Sequence, residues 1–214
     1  MSARPEGYIP AAGEDWLLPL YDPLQRFVFR EKHLRRGVLE HARIGPRSRV
    51  LDVGCGTGTQ AVVIKRAHPD AEVTGLDGDA KALAVARRKI AREGLDVRLD
   101  EGLATALPYP DARFDRVVSS LVFHHLSDDV KRGAILEIRR VLAPGGVFVL
   151  ADFGRPVSWF ERLIAPRLNQ FEQARTNISG GLRDLLAQAG FAVDEAPLYS
   201  MGFARVWCWS GARA

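Results

Sequence analysis

Val50-Leu-Asp-Val-Gly-Cys-Gly-Thr-Gly58 decides how the rest of the chain is read. A short apolar run, Arg49 to Val53, has the length and composition of a buried strand. It runs into three alternating glycines, after which Thr57 to Ala67 reads as a helix stopped by Pro69. Glycines at such a turn permit tight backbone and let a ligand lie against bare peptide groups. The helix N-terminus behind them favours an anion. Asp77 ends the next predicted strand, Glu72 to Leu76, and lies 19 residues after Gly58. A carboxylate there suits the two hydroxyls of a ribose. Two common phosphate loops do not fit. A nucleoside-triphosphatase loop counted from Gly54 needs Gly and Lys where Thr59 and Gln60 stand, and a dinucleotide loop needs Gly at Thr59. What remains is Gly-x-Gly-x-Gly preceded by Asp52, between a strand and a helix.

The pattern continues outward. Leu17 to Ala42 reads as helix, interrupted near Pro23 and Gly37. Asp79 offers an N-cap to a helix carrying Leu83, Ala86 and Ile90 and ending at Gly94. Asp96 to Leu99 and Phe114 to Ser119 read as strands three and four. Ser127 caps a helix with Val130, Ala134, Ile138 and Val141 on its apolar face and Lys131, Glu137, Arg139 and Arg140 outside. Pro144-Gly145-Gly146 is a turn into strand five, Val147 to Ala151. Strands alternating with helices predict βαβ units and a parallel sheet. Val157 to Phe171 and Ser179 to Ala189 read as further helices, the second closed by Gly190. Phe191 to Ala196 and Phe203 to Trp209 are too close in sequence for a helical crossover, which predicts an antiparallel pair.

The bulk properties bound the function. With 47% hydrophobic and 26% charged residues among 214, the chain has the balance of an ordinary globular protein with a sizeable core. Its net charge of +4 sits in one segment. Arg26 to Arg43 holds six basic side chains against two acidic, and the remainder is neutral, which argues against a nucleic-acid binder. A solvated helix face is the simplest reading of that segment, and contact with an anionic membrane surface is the sharper one. Met1 to Trp16 has no apolar core and is not read as a signal peptide. No apolar run is long enough to span a bilayer. Cys55 and Cys208 stand alone, without metal-ligand spacing, so a reduced, cytoplasmic protein with no structural metal is expected.

The loop resembles the cofactor motif of class I S-adenosylmethionine-dependent methyltransferases. Phe114-Asp115-Arg-Val-Val-Ser-Ser, Val141-Leu-Ala-Pro-Gly-Gly-Val-Phe-Val-Leu and Leu182 to Phe191 extend the resemblance, and Tyr21-Asp22 places it nearest the ubiquinone/menaquinone C-methyltransferase-like subgroup. The resemblance implies a Rossmann-like α/β fold: a seven-stranded, mostly parallel sheet with helices on both faces and the last strand antiparallel. It implies one domain over 1–214, with a helical cap (1–45), a cofactor core (46–152), a lid insertion (153–178) and a closing helix and strand pair (179–214). It implies S-adenosyl-L-methionine as cofactor, and transfer of its methyl group to a small, largely apolar acceptor. Gly54, Cys55, Gly56, Thr57 and Gly58 then face the methionine end, with Asp52 as acceptor for its ammonium. Asp77 and Gly78 take the ribose, Gly102, Leu103 and Ala104 the adenine, and Ser119, Ser120 and Tyr21 complete the pocket. One departure stands out: the subgroup often carries Asp where this chain has Leu103, so adenine is held by packing and backbone.

Methyl transfer needs alignment and exclusion of water, and a base only where the acceptor must lose a proton. His125, after strand four, is the first candidate for that base, with Asp152 at the end of strand five beside it and His124 behind. Phe153, Trp159, Phe160, Phe171, Phe203 and Trp207 are candidates to line an acceptor pocket, although Trp207, Trp209 and Phe191 alternate as core residues do. Val157 to Phe171 is the expected lid. The partners expected are a small-molecule acceptor, no nucleic acid, a membrane surface at most peripherally, and at most a second copy of the chain. Methylation of RNA or protein, and a non-catalytic cofactor-binding scaffold, are the alternatives; no Asn-Pro-Pro-Tyr or Asp-Pro-Pro-Tyr follows strand four.

Overall fold

The alternation of strands and helices closes into one sheet. The computed structural model describes residues 31–168, 172–201 and 205–213. Helix α1 (Glu31–Ala42) precedes β1 (Arg49–Val53), α2 (Thr59–Ala67), β2 (Glu72–Asp77), α3 (Ala80–Arg92), β3 (Arg98–Glu101) and β4 (Phe114–Ser120). A 3-10 turn (Phe123–His125) leads to α4 (Asp128–Val141) and β5 (Leu142–Gly154). Then come α5 (Trp159–Leu168), α6 (Glu172–Ser179), α7 (Gly181–Gln188), β6 (Phe191–Ser200) and β7 (Arg205–Arg213). The strand order is β3-β2-β1-β4-β5-β7-β6. Neighbours from β3 to β5 pair in parallel, and β7 is antiparallel to both β5 and β6, as the short connection between the last two strands required. The chain order reverses between β1 and β4, where an open α/β sheet forms its ligand crevice at the carboxyl ends of the strands.

Strand alternation divides the core in two. One face carries Leu51, Val53, Val117, Phe148 and Leu150 under α4 and α7. The other carries Val50, Val118, Val149 and Ala151 under α1 and α2, through Leu34, Val38, Ala61 and Ile64. This parity decides the polar residues too. Asp52 and Ser120 keep step with Val50 and Val118 and face α1. Asp152 keeps step with Phe148 and Leu150 and faces the opposite layer.

Three local expectations are corrected. Gly37 does not interrupt α1: a Cβ there would stand 2.6 Å from Leu198 Cδ2, so the glycine lets the helix lie close on β6. On α4 the buried stripe is Lys131, Ala134, Ile135, Ile138 and Val141, while Val130 is exposed. Lys131 is inside because Asp128 Oδ1 receives its ammonium at 3.2 Å, which frees the long apolar stem to pack. The turn at Pro144–Gly146 lies within β5, where pairing with β4 jumps from Phe114–Leu142 to Arg116–Val147. Helix α6 fills a stretch left unassigned, and Gly180, at φ +91°, separates it from α7. Pro23 lies outside the described residues. No helix among the described residues is long and apolar enough to cross a membrane.

Candidate active site

The glycine loop is built from the backbone inward. Gly54 N and Cys55 N both donate to Leu76 O, at 2.8 and 3.0 Å, tying the loop to the end of β2. Gly54, Gly56 and Gly58 have φ of +71°, +54° and +76°, a region that strongly favours glycine. A Cβ on Gly54 would meet Val122 Cγ2 at 2.5 Å, and one on Gly58 would meet Ala86 Cβ at 2.9 Å. A Cβ on Gly56 would meet nothing within 4 Å, so the middle of the loop is the part left open to a ligand. Asp77 holds this shape: Oδ2 accepts from Gly56 N at 2.7 Å and Oδ1 from Asp79 N at 2.9 Å. Burial nevertheless raises its carboxyl above the usual range, against those N–H groups. Gly102 N donates to Asp77 O at 3.0 Å, bringing Gly102-Leu103-Ala104 alongside Gly78. Cys55 is buried and its thiol is pushed far up, so only its backbone is available. The Thr57 hydroxyl is taken by Lys89 Nζ at 3.2 Å.

On the α1 side, Asp52 is buried and its Oδ2 has no hydrogen-bond partner, and the same holds for Gln60 Nε2. Arg35 reaches in from α1, and its Nη1 donates to Gln60 Oε1 and Ser120 Oγ, both at 3.1 Å. Burial pushes Asp52 up to about 7; the Arg35 charge opposes this and Asp77 adds to it. The basic segment is therefore not one solvated face. Arg36 pairs with Glu40 on the exposed side, at 2.7 Å, while Arg35 belongs to the site. Neither Arg35 nor Gln60 was singled out from the sequence. The available signal was Arg35 adjoining the apolar stripe Leu34–Val38, and Gln60 one turn beyond the glycines. The site as a whole fits a ligand carrying a ribose for Asp77, a cationic amine for Asp52 and a carboxylate for Arg35. Orphaned buried atoms at Asp52 and Gln60, and open space over Gly56, are where such a ligand has its partners.

A second polar cluster lies one strand further. Ser119 Oγ donates to Val53 O at 2.9 Å and locks β4 to β1. Leu121, a non-glycine residue at φ +57°, turns the chain sharply off β4 and is held by its N–H on Ala151 O at 2.9 Å. That turn delivers His124 to Asp152. Asp152 is fully buried, and its Oδ1 lies 2.8 Å from His124 Nδ1. Its two carboxylate oxygens also accept from Phe153 N at 2.7 Å and His124 N at 3.2 Å. Burial alone would raise Asp152, yet His124 and the Phe153 N–H bring it below the ordinary value. His125 stacks on His124 with ring centroids 3.9 Å apart, and Phe153 sets its ring edgewise to His124 at 4.7 Å. His125 itself is lowered to about 4, by burial first and by His124 second. The structure thus places both histidines and Asp152 together, and gives the direct carboxylate contact to His124.

The lid stretch is anchored differently from expectation. Ser158 and Glu161 form a reciprocal cap at the start of α5: Glu161 N donates to Ser158 Oγ at 3.2 Å and Ser158 N to Glu161 Oε2 at 3.0 Å. Glu161 also receives Ser200 Oγ, and Arg205 Nε at 3.2 Å. Burial works against its charge, but these donors hold Glu161 at about 2. With the acid turned inward, Trp159 (76% exposed), Phe160 and Leu163 are turned outward. Of the pocket candidates, Phe153 lies against His124, Trp207 is core, and Trp159 and Phe160 are exposed. Tyr21, Phe171 and Phe203 lie outside the described residues. No cluster of three or more His, Cys, Asp or Glu among the described residues could hold a metal.

Residues 50–146 match a family model described as a methyltransferase domain. A demethylmenaquinone methyltransferase of Thermus thermophilus is 41% identical over 142 residues, 65% of this chain and 64% of that protein. The chain thus spans slightly less than two thirds of that relative. An uncharacterized methyltransferase of Synechocystis sp. is 35% identical over 179 residues, 82% of each chain. The solved structure of the [4+2]-cyclase SpnF superposes with a TM-score of 0.69 at 22% identity, covering 84% of this chain and 79% of that one, a likeness of fold. Similarity that runs through the glycine loop, the switch point and the strands on both sides assigns the chain to the class I S-adenosylmethionine-dependent methyltransferase family.

Proposed function

We propose that this chain methylates a small, largely apolar acceptor of the quinol or phenol class, with His124 as the proton acceptor. The observation that carries this reading is the 2.8 Å contact between His124 Nδ1 and the buried Asp152, at the carboxyl edge of the sheet beside the cofactor loop. Asp152 accepts from Nδ1–H and so fixes the tautomer, leaving Nε2 as the basic atom. When bound, S-adenosylmethionine supplies a methyl carbon already activated by its sulfonium. Asp77, the bare glycine loop and Asp52 hold and orient it, and Arg35 closes the pocket from α1. His124 Nε2 takes the proton that the acceptor sheds as its new bond to the methyl carbon forms. His125 and Phe153 pack around the imidazole and exclude water. Support for a quinol-like acceptor comes from the likeness to a demethylmenaquinone methyltransferase.

The finer partner in this reading is a membrane surface. Helix α5 is inverted for a helix in water: it buries Glu161 and exposes Trp159 and Leu163, with Arg162 exposed beside them. Aromatic and apolar groups edged by Arg suit a lipid interface, where an apolar acceptor partitions. The test of function is incubation of the full chain with methyl-labelled S-adenosylmethionine and a short-chain 2-prenyl-1,4-naphthoquinol under reducing conditions. Label in the quinol, and its loss in His124→Gln, is expected. Label confined to unreacted cofactor, at saturating quinol, contradicts the reading. Sedimentation with vesicles of anionic phosphatidylglycerol, lost in a Trp159→Ser/Leu163→Ser variant, is expected for the surface. Equal sedimentation of both proteins contradicts it.

A further inference from the structure

Polar atoms that are buried without a partner are rare in folded proteins, and each asks for a cause. Two of them, Asp52 Oδ2 and Gln60 Nε2, fall where the cofactor's methionine end is proposed to lie. Asn177 is different. It is fully buried, and both its Oδ1 and its Nδ2 lack a hydrogen-bond partner. It belongs to α6, whose packing is mainly against the Phe123–His125 turn and β5, the two elements that carry His124 and Asp152. The helix is pinned there by the preceding residue: Thr176 Oγ1 donates to Asp128 Oδ2 at 2.6 Å, at the start of α4. Among the described side chains of α6, Asn177 and Ile178 are buried, while Arg175 and Ser179 are exposed. A whole unpaired amide is thus held in the layer that covers the proposed base.

We propose that Asn177 is the recognition residue for a ring hydroxyl of the methyl acceptor. The inference rests on the acceptor class proposed above and deepens it. A ring hydroxyl needs an acceptor for its O–H and a donor for its lone pair, and a primary amide carries both on one planar group. An amide kept dry and unpaired in the free protein gains its partners only when such a hydroxyl arrives, so hydroxylated rings are selected over their ethers. The amide touches substrate in this account and takes no proton. Its cost falls on the free protein, since an unpaired buried amide is less favourable than an aliphatic group of the same size.

The test uses the full chain saturated with S-adenosylhomocysteine, and two probes, 1,4-dihydroxynaphthalene under reducing conditions and 1,4-dimethoxynaphthalene. Wild type is expected to bind the diol about tenfold or more tighter than the ether. Asn177→Leu and the smaller Asn177→Ala are expected to lose that preference, with affinity for S-adenosylhomocysteine unchanged. Without ligands, Asn177→Leu is expected to melt at a higher temperature than wild type, because it removes the unpaired amide. A preference retained in both variants overturns the proposal. A lower melting temperature for Asn177→Leu also overturns it, since the amide then has partners in the free protein. If wild type binds neither probe, the quinol and phenol class is wrong, and the direction of the melting shift alone then decides whether Asn177 waits for a ligand.

Discussion

The β3–β2–β1 side of the sheet and the β5–β7 side organise their polar groups in opposite ways. On the first, the groups speak mostly through backbone. Asp77 receives Gly56 N and Asp79 N, and three glycines at positive φ keep the loop bare of side chains. On the second, side chains from distant segments meet. His124 finds Asp152 across 28 positions, and Glu161 finds Arg205 across 44. The first arrangement is a reusable ligand cradle; the second is where an acceptor and its chemistry are specified. If the division is real, substitutions on one side should leave the other side's measurement untouched.

The largest separation is expected from His124→Gln. Loss of a positioned base should lower kcat by about 100- to 10,000-fold, with S-adenosylhomocysteine affinity unchanged. Turnover within a few-fold of wild type would move the proton elsewhere. Asp77→Ala does the reverse. Removing a carboxylate that accepts two hydrogen bonds, each worth about 1.5–3 kcal/mol when charged, should weaken S-adenosylhomocysteine by about 100-fold or more. Because Asp77 also holds Gly56, Asp77→Asn is the cleaner comparison, and isothermal titration reads both.

The cofactor side should also respond to pH. A carboxyl raised to about 7 is protonated below that value and loses the charge that attracts an ammonium. Cofactor affinity should therefore rise as pH increases towards 7, by at most about tenfold per unit for one released proton, and level off above it. Arg35→Met removes the charge that opposes this rise in Asp52, so the midpoint should move to higher pH. A flat affinity profile from pH 5 to 8 would remove Asp52 from the contact. The smallest effect is expected at Gly56→Ala. The left-handed backbone costs about 1–2 kcal/mol of stability in an L-residue, with the fold kept because nothing obstructs the methyl group. Gly54→Ala should cost more, because Val122 is already in the way.

The same division explains what the sequence made legible. Val50 to Gly58 and Asp77 were readable because local backbone chemistry demands those residue types at that spacing. The parallel sheet followed from alternating elements, and the antiparallel last pair from one connection too short for a helix. His124 over His125 was not readable, since the choice depends on a turn at Leu121 whose positive φ no side chain announces. Lys131 was misplaced because helical periodicity counts a lysine as polar, whereas Asp128 lets its stem pack inside. Arg35 was hidden by its charge, which looks like solvated surface until Gln60 and Ser120 are brought beneath it. The outward side of Trp159 and Phe160 was not readable, because it depends on Glu161 turning inward to the Val157 and Ser158 amides and Ser200.

One titration tests the division most directly. Full-length wild type, Asp77→Asn and His124→Gln are titrated calorimetrically with S-adenosylhomocysteine at pH 8. The expected result is single-site saturable heat in wild type, the same affinity in His124→Gln, and affinity about tenfold or more weaker in Asp77→Asn. No heat and no thermal shift in wild type at millimolar ligand would contradict the account at its root.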